Sequence, residues 1–230
     1  MKRIVLFAFI LIPSLGFSQL NFSLSLSHLA PKGEFKQNIK KGFGGLNLNA
    51  GQTLKSNPNI EVGVFAGTGM YAYKEYSTVI TTANGAEKKI DVYEDDCYMQ
   101  FGMQAKYIFS RKTAFQPYAG VSLAGNQFFS HTDPMGQEPD YKKQFVYHGM
   151  ALATGLNIGF NLNVNKLFNP KETSQGGPFI AFEKSFVHGG RTTYRYFEQD
   201  PEVMKGNLNM GLLNSKTSYS GTTIKVGFSF

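Results

Sequence analysis

Tryptophan is absent from this chain of 230 residues, and cysteine occurs once, as Cys97. A lone cysteine excludes an intramolecular disulfide and any cysteine-based metal site. There is no glycine-rich nucleotide loop, no nucleophile elbow and no metal-ligand spacing, so no cofactor, no metal and no catalytic residue is indicated. Beyond the first residues no stretch approaches the roughly 20 consecutive apolar residues of a spanning helix. No helical stripe of useful length is present either. What is abundant is phenylalanine (21 residues), glycine (25) and tyrosine (12).

The N-terminus is different in kind. Met1-Lys2-Arg3 carries two positive charges, the run from Ile4 to Pro13 is apolar, and Ser14 to Gln19 follows. A charged start, an apolar stretch and small residues before a polar one form a secretory signal. Gly16 and Ser18 suit the −3 and −1 subsites, so residues 1–18 are expected to be removed before Gln19, leaving 19–230 as one domain. The formal charge of +7 falls to +5 without Lys2 and Arg3. Export takes the chain away from nucleic acid, so a basic surface is expected to meet phosphate-bearing lipid head groups instead.

The mature chain alternates with a period of two, in segments divided by turn chemistry. Leu20, Phe22, Leu24 and Leu26 alternate with Asn21, Ser23, Ser25 and Ser27. Comparable faces run over Leu46–Ala50, Ile60–Met70, Cys97–Tyr107, Ala119–Leu123 and Met150–Phe160, with further strands from Phe179 and at the C-terminus. Alternation alone also fits a soluble sandwich or a lipocalin, so the second face decides. Opposite the sixth strand's apolar side stand Gly149, Ala151, Ala153, Gly155, Asn157, Gly159 and Asn161, all small or amide-bearing. Such a face is poor for bulk water and right for the crowded interior of an eight-stranded barrel. The leucines and phenylalanines must then face lipid.

The connections alternate in length. Ala30–Gly42, Lys74–Asp96 and Ser130–Lys143 are long, whereas Thr53–Asn59 and Ser110–Thr113 are short, as for extracellular loops and periplasmic turns. Asn84-Gly85 is a strong hairpin signal. Leu162–Gly177 departs from the pattern by being long on the periplasmic side, with a helical turn expected near Asn165–Phe168. Asn207–Phe230 is too long for one spanning strand, so its first half is expected to lie in a loop or a projecting hairpin. The chain ends with Ile224, Val226, Phe228 and the terminal Phe230 on one face.

That ending resembles the C-terminal signature that barrel assembly machinery recognises. With the signal segment, it makes the chain resemble small outer-membrane β-barrel families, OmpA/OmpX-like in architecture. Gln19 and the run Phe115–Gly120 further resemble Bacteroidota barrels of the PorT-like kind. The lack of tryptophan departs from many such barrels and leaves the interface girdles to tyrosine and phenylalanine. The resemblance implies an all-β, closed, antiparallel up-and-down transmembrane barrel of eight strands, with ten as the alternative. It also implies the outer membrane of a Gram-negative bacterium and assembly through Ile224, Val226, Phe228 and Phe230. It transfers no role, because such barrels host many.

Several residues are candidates for a site. Parity sends Glu61, Lys106, Glu183 and Lys225 inward near the periplasmic end, where four charges of both signs are expected to form one lumen cluster. Lys184 falls on the lipid side, so a bulge or a snorkelling side chain is expected there. Lys32, Lys36, Lys40 and Lys41 make the first loop basic, with lipopolysaccharide phosphates as a possible contact. Glu94-Asp95-Asp96 reads as a solvated acidic loop, His188 as a strand end or bulge, and Ser130-His131 as turn chemistry. A non-enzymatic structural or interaction role is the favoured reading. A lipid-A- or phospholipid-modifying enzyme is the alternative, and a narrow pore the third.

Overall fold

In the computed structural model residues 17–39, 41–136, 144–169, 171, 177–197 and 212–229 are described. Eight strands follow one another: β1 (Phe17–Pro31), β2 (Phe43–Leu54), β3 (Ile60–Thr81), β4 (Glu87–Ile108), β5 (Phe115–Pro134), β6 (Gln144–Asn163), β7 (Phe179–Phe197) and β8 (Leu212–Ser229). Each pairs antiparallel with the next, and β8 closes on β1 from Ser23↔Ser229 to Pro31↔Gly221. The ten-stranded alternative therefore falls. Two short helices interrupt the strands, α1 (Gly33–Asn38) after β1 and α2 (Val164–Phe168) after β6.

The registers fix the tilt. Stepping from Phe22 across Ala50, Val64, Met103, Leu123, Thr154, His188 and Ser220 traverses all eight strands. The next partner is Lys32, whose N–H donates to the Ser220 carbonyl at 2.9 Å. One circuit thus climbs from position 22 to position 32 along β1, the stagger of a small, steeply tilted barrel.

Alternation then sorts the side chains. Leu26 is 67 % exposed and Leu152 66 %, whereas Asn47 and Asn126 are 1 % exposed. An outward band of leucine, valine, methionine and phenylalanine around a polar interior is the inverse of a soluble barrel and makes this one membrane-spanning. At the periplasmic rim Phe115, Phe160 and Phe182 form an outward row, with centroids 5.0 and 4.9 Å apart, and Tyr107 meets Phe109 at 5.4 Å. The amphipathic belt is built without tryptophan.

The extracellular side differs from a set of loops. Above Gly44↔Met70, where β2 and β3 part, β3 and β4 stay paired up to Thr81↔Glu87. The expected loop Lys74–Asp96 is thus a continuous hairpin, closed by a turn in which Gly85 has φ +83°. The first five residues of Ser130–Lys143 are likewise strand, since β5 continues to Pro134, and β7 and β8 project as a hairpin to Phe197↔Leu212. A hairpin buries its own backbone hydrogen bonds, which a long loop leaves to water. At the N-terminus β1 starts at Phe17, just before the expected mature start.

Lys184 sits in unbroken register, opposite Ile158 and Ile224, so no bulge turns it. The bulge of β7 lies instead between His188 and Arg191.

Candidate functional site

The lumen is filled at both ends. Near the periplasm Glu183 is the hub. Its Oε2 accepts from Tyr118 Oη at 3.0 Å and meets Lys106 Nζ at 3.1 Å. Its Oε1 accepts from Lys225 Nζ and Ser185 Oγ, each at 3.0 Å. Lys106 Nζ also stands 4.8 Å from the Tyr118 ring centroid, and Lys225 Nζ 5.5 Å from that of Phe65. A buried carboxylate so saturated avoids much of its desolvation cost. The small sixth-strand face makes the arrangement possible. A Cβ on Gly159 would come within 2.6 Å of Tyr118 Oη, so only glycine lets the phenol reach Glu183.

Glu61 belongs to a second group. Its Oε2 accepts from Asn21 Nδ2 at 2.9 Å and lies 3.7 Å from Arg111 Nη2. Arg111 in turn donates to Thr53 Oγ1 at 3.2 Å. The four expected charges are therefore divided, with Lys106, Glu183 and Lys225 in direct contact and Glu61 turned to a cation that parity did not supply. Arg111 lies in the short turn between β4 and β5, where the period of two has ended, yet it is buried. Below it Lys166 of α2 donates to the Arg111 carbonyl at 2.9 Å. The long periplasmic connection thus folds back onto the turn.

Higher in the lumen a polar ladder crosses the barrel. Asn49 donates to Ser23 Oγ at 3.0 Å, Asn47 to Ser27 Oγ at 2.8 Å, and Gln100 to Asn47 Oδ1. The interior cavities here are water-sized. One beside Gln100, Asn126 and Ser185 measures about 30 Å³, and one beside Glu61, Lys106 and Arg111 about 40 Å³.

The extracellular mouth is closed by α1, and the first connection is not the open basic loop expected. Phe35, fully buried, inserts among aromatic rings from β2, β5, β7 and β8. Its centroid lies 4.9 Å from Tyr194, 5.2 Å from Tyr219 and 6.2 Å from both Phe43 and Phe128, in edge-to-face geometry. Asn38 Nδ2 donates to Tyr194 Oη at 3.0 Å, and Glu34 accepts the Ser218 N–H at 3.3 Å. Lys32, Lys36 and Lys41 stay exposed around this plug; Lys40 lies outside the described residues.

The expected acidic loop Glu94-Asp95-Asp96 is a segment of β4, with Glu94 and Asp96 fully buried. Tyr76 Oη donates to Glu94 at 3.2 Å. Asp96 accepts from Ser130 Oγ, whose oxygen also lies 2.6 Å from His148 Nε2. Ser130, with its neighbour His131, is on β5 rather than in a turn, and His131 points elsewhere, to Asp133 at 3.3 Å. A serine, a histidine and an aspartate meet here, but in the wrong order for nucleophilic attack. Ser130 Oγ stands between the carboxylate and the imidazole, whereas an activated nucleophile needs the imidazole between the other two. The group ties β4, β5 and β6 together.

Ile224, Val226 and Phe228 are exposed on the outer face of β8; Phe230 lies outside the described residues. No protein-family model matches the chain, and no curated protein matches it in sequence. Solved structures align with it over most of its length. Neisserial surface protein A aligns with a TM-score of 0.54 at 12 % identity, over 93 % of this chain and 97 % of that one. A major outer membrane protein of Thermus thermophilus aligns at 0.47 and 11 % identity, over 93 % and 99 %. Ail, the attachment invasion locus protein of Yersinia pestis, in complex with sucrose octasulfate, aligns at 0.37 and 10 % identity, over 92 % and 96 %. Eight closed strands, a lipid-facing exterior and the likeness of fold to the Neisserial protein make the chain an outer-membrane β-barrel.

Proposed function

We propose that this barrel is closed to solutes and non-enzymatic, with a structural or interaction role at the cell surface. The observation that supports this most is the double closure, with paired charges at the periplasmic end and an aromatic plug at the mouth. The strands that project beyond the plug offer surface for contacts outside the membrane. Kinship with Bacteroidota PorT-like barrels, carried by Gln19 and Phe115–Gly120, belongs to the same proposal. Purified protein in a planar bilayer is expected to give no steady conductance; a stable open channel would overturn the reading.

The lipid-modifying alternative has one observation in its favour, the meeting of Ser130, His148 and Asp96. Mass spectrometry of lipid A and phospholipids from a deletion strain is expected to match the parent, and a lost acyl or head-group change restored by the parent gene but not by Ser130→Ala would reverse the assignment. For biogenesis, the outward row Ile224, Val226, Phe228 and the terminal Phe230 is the signal offered to the assembly machinery. Deletion of Phe230 is expected to leave unfolded periplasmic protein, read by loss of the heat-modifiable electrophoretic band. The exposed lysines of the first connection, Lys32, Lys36 and Lys41 together with Lys40, are the proposed contacts to lipopolysaccharide.

A further inference from the structure

Lys106 and Lys225 in the lower lumen both meet the Glu183 carboxylate, but Lys184 on the outer wall meets none among the described residues. Its side chain is exposed in a row with Ile180, Phe182, Phe186 and His188, and its register neighbours are Ile158 and Ile224. Among the described residues the outward faces of β6, β7, β8 and β1 carry no carboxylate. Glu34, the acidic group of α1, is committed to the Ser218 N–H. An ammonium in that position must swing toward a headgroup region. It does so toward the extracellular side, its Nζ standing 5.3 Å from the centroid of Phe186.

A second ammonium reaches the same ring. The ten-position climb of the barrel brings the end of β1 over β8 and β7, and Lys32 Nζ lies 5.7 Å from the Phe186 centroid. Between these strands Thr222 is paired with Ala30 on one side and Phe186 on the other. It is 8 % exposed, and its hydroxyl has no hydrogen-bond partner. Two cations and an unused hydroxyl around one aromatic ring lack an anion, and the surroundings are lipid. Exposed His28 and His188 flank the same wall and add donors.

We propose that this wall binds lipid A, with one of its phosphates held between Lys32 and Lys184 beside Thr222 while acyl chains lie along Phe186, Ile224 and Ile158. The source is lipid A because the site opens toward the extracellular rim, hence the outer leaflet. This rests on the outer-membrane reading above and extends the contact proposed for the first connection to a site on the barrel wall.

The test is native mass spectrometry of the full folded chain in detergent, titrated with lipid A, dephosphorylated lipid A or phosphatidylglycerol. Lipid A is expected to be retained in preference to both others. Lys32→Gln with Lys184→Gln is expected to lower that retention by about tenfold, while Lys55→Gln with Lys112→Gln, exposed at the periplasmic turns, leaves it unchanged. Equal retention of dephosphorylated lipid A or of phosphatidylglycerol by the wild type would overturn the site without need of any variant, as would full retention by the folded double variant. The heat-modifiable band of the same samples reports the barrel independently. Its absence in the wild type would refute the outer-membrane reading, whereas its presence with no lipid preference refutes the site alone.

Discussion

The two ends of the lumen fill the same narrow barrel by opposite chemistry. The periplasmic end uses Glu183, Lys106, Lys225, Glu61 and Arg111, whose charges neutralise one another across strands. The extracellular end uses Phe35, Tyr194, Tyr219, Phe43 and Phe128, which meet edge to face. At the first, each side chain belongs to the wall or to a turn at its rim, so closure is part of folding the barrel. At the second, the central residue comes from α1, a segment between strands, so the plug can leave without unravelling the wall. A difference in cooperativity should follow from that difference in origin.

The largest effect is expected from Glu183→Leu, which strands two part-buried ammonium groups. Stability should fall by about 3–5 kcal/mol, read as a lower urea midpoint in vesicles by far-ultraviolet circular dichroism. Adding Lys106→Met and Lys225→Met to that variant should restore most of the loss. If Glu183→Leu alone costs less than about 1 kcal/mol, the lower lumen is solvated and the contrast collapses.

Phe35→Ala comes next. Removing a buried phenyl ring should weaken docking of α1 by about 3 kcal/mol while the unfolding midpoint of the wall barely moves. Hydrogen exchange should rise over Phe35–Ile39 and not in the strands; a drop of the global midpoint instead would make the plug part of the wall's cooperative unit.

A pair of double-mutant cycles sharpens the division within the periplasmic cluster. Lys225→Met with Glu183→Gln should show coupling above about 1 kcal/mol, and Lys225→Met with Glu61→Gln below about 0.5 kcal/mol. Equal coupling would mean that the two carboxylates share one network. Single hydroxyls compare the two ends directly. Tyr118→Phe, which removes a donor to the Glu183 carboxylate, should cost about 2 kcal/mol. Tyr194→Phe, which removes neutral contacts to Asn38 and Thr217, should cost about 1 kcal/mol. A reversed ranking would place the stronger polar network at the mouth.

How far the sequence reached depended on the local backbone. Inside strands, parity located Leu26, Phe101 and Leu156 outside and Lys106 and Glu183 inside, because successive side chains must take opposite faces. Where the chain leaves the strand that rule has no content. Arg111 therefore went unseen, and Phe35, in a basic stretch that reads as a surface loop, gave no sign of being buried. Glu94 and Asp96 were misread for a related reason. They lie above the membrane-spanning band, in strand extensions that carry polar residues on both faces, so neither hydropathy nor alternation marks the inner side.

The sequence by itself determined the barrel and its lipid-facing side, since a period of two with one small-residue face admits few other shapes, while closure with eight strands rather than ten came from the structure. Only the tertiary structure decided which charges meet, what stops the mouth, and that Lys32 and Lys184 share one ring. Those are separated by up to 184 positions along the chain, and they come together through the climb of the register around eight strands, a property of the closed circuit rather than of any segment.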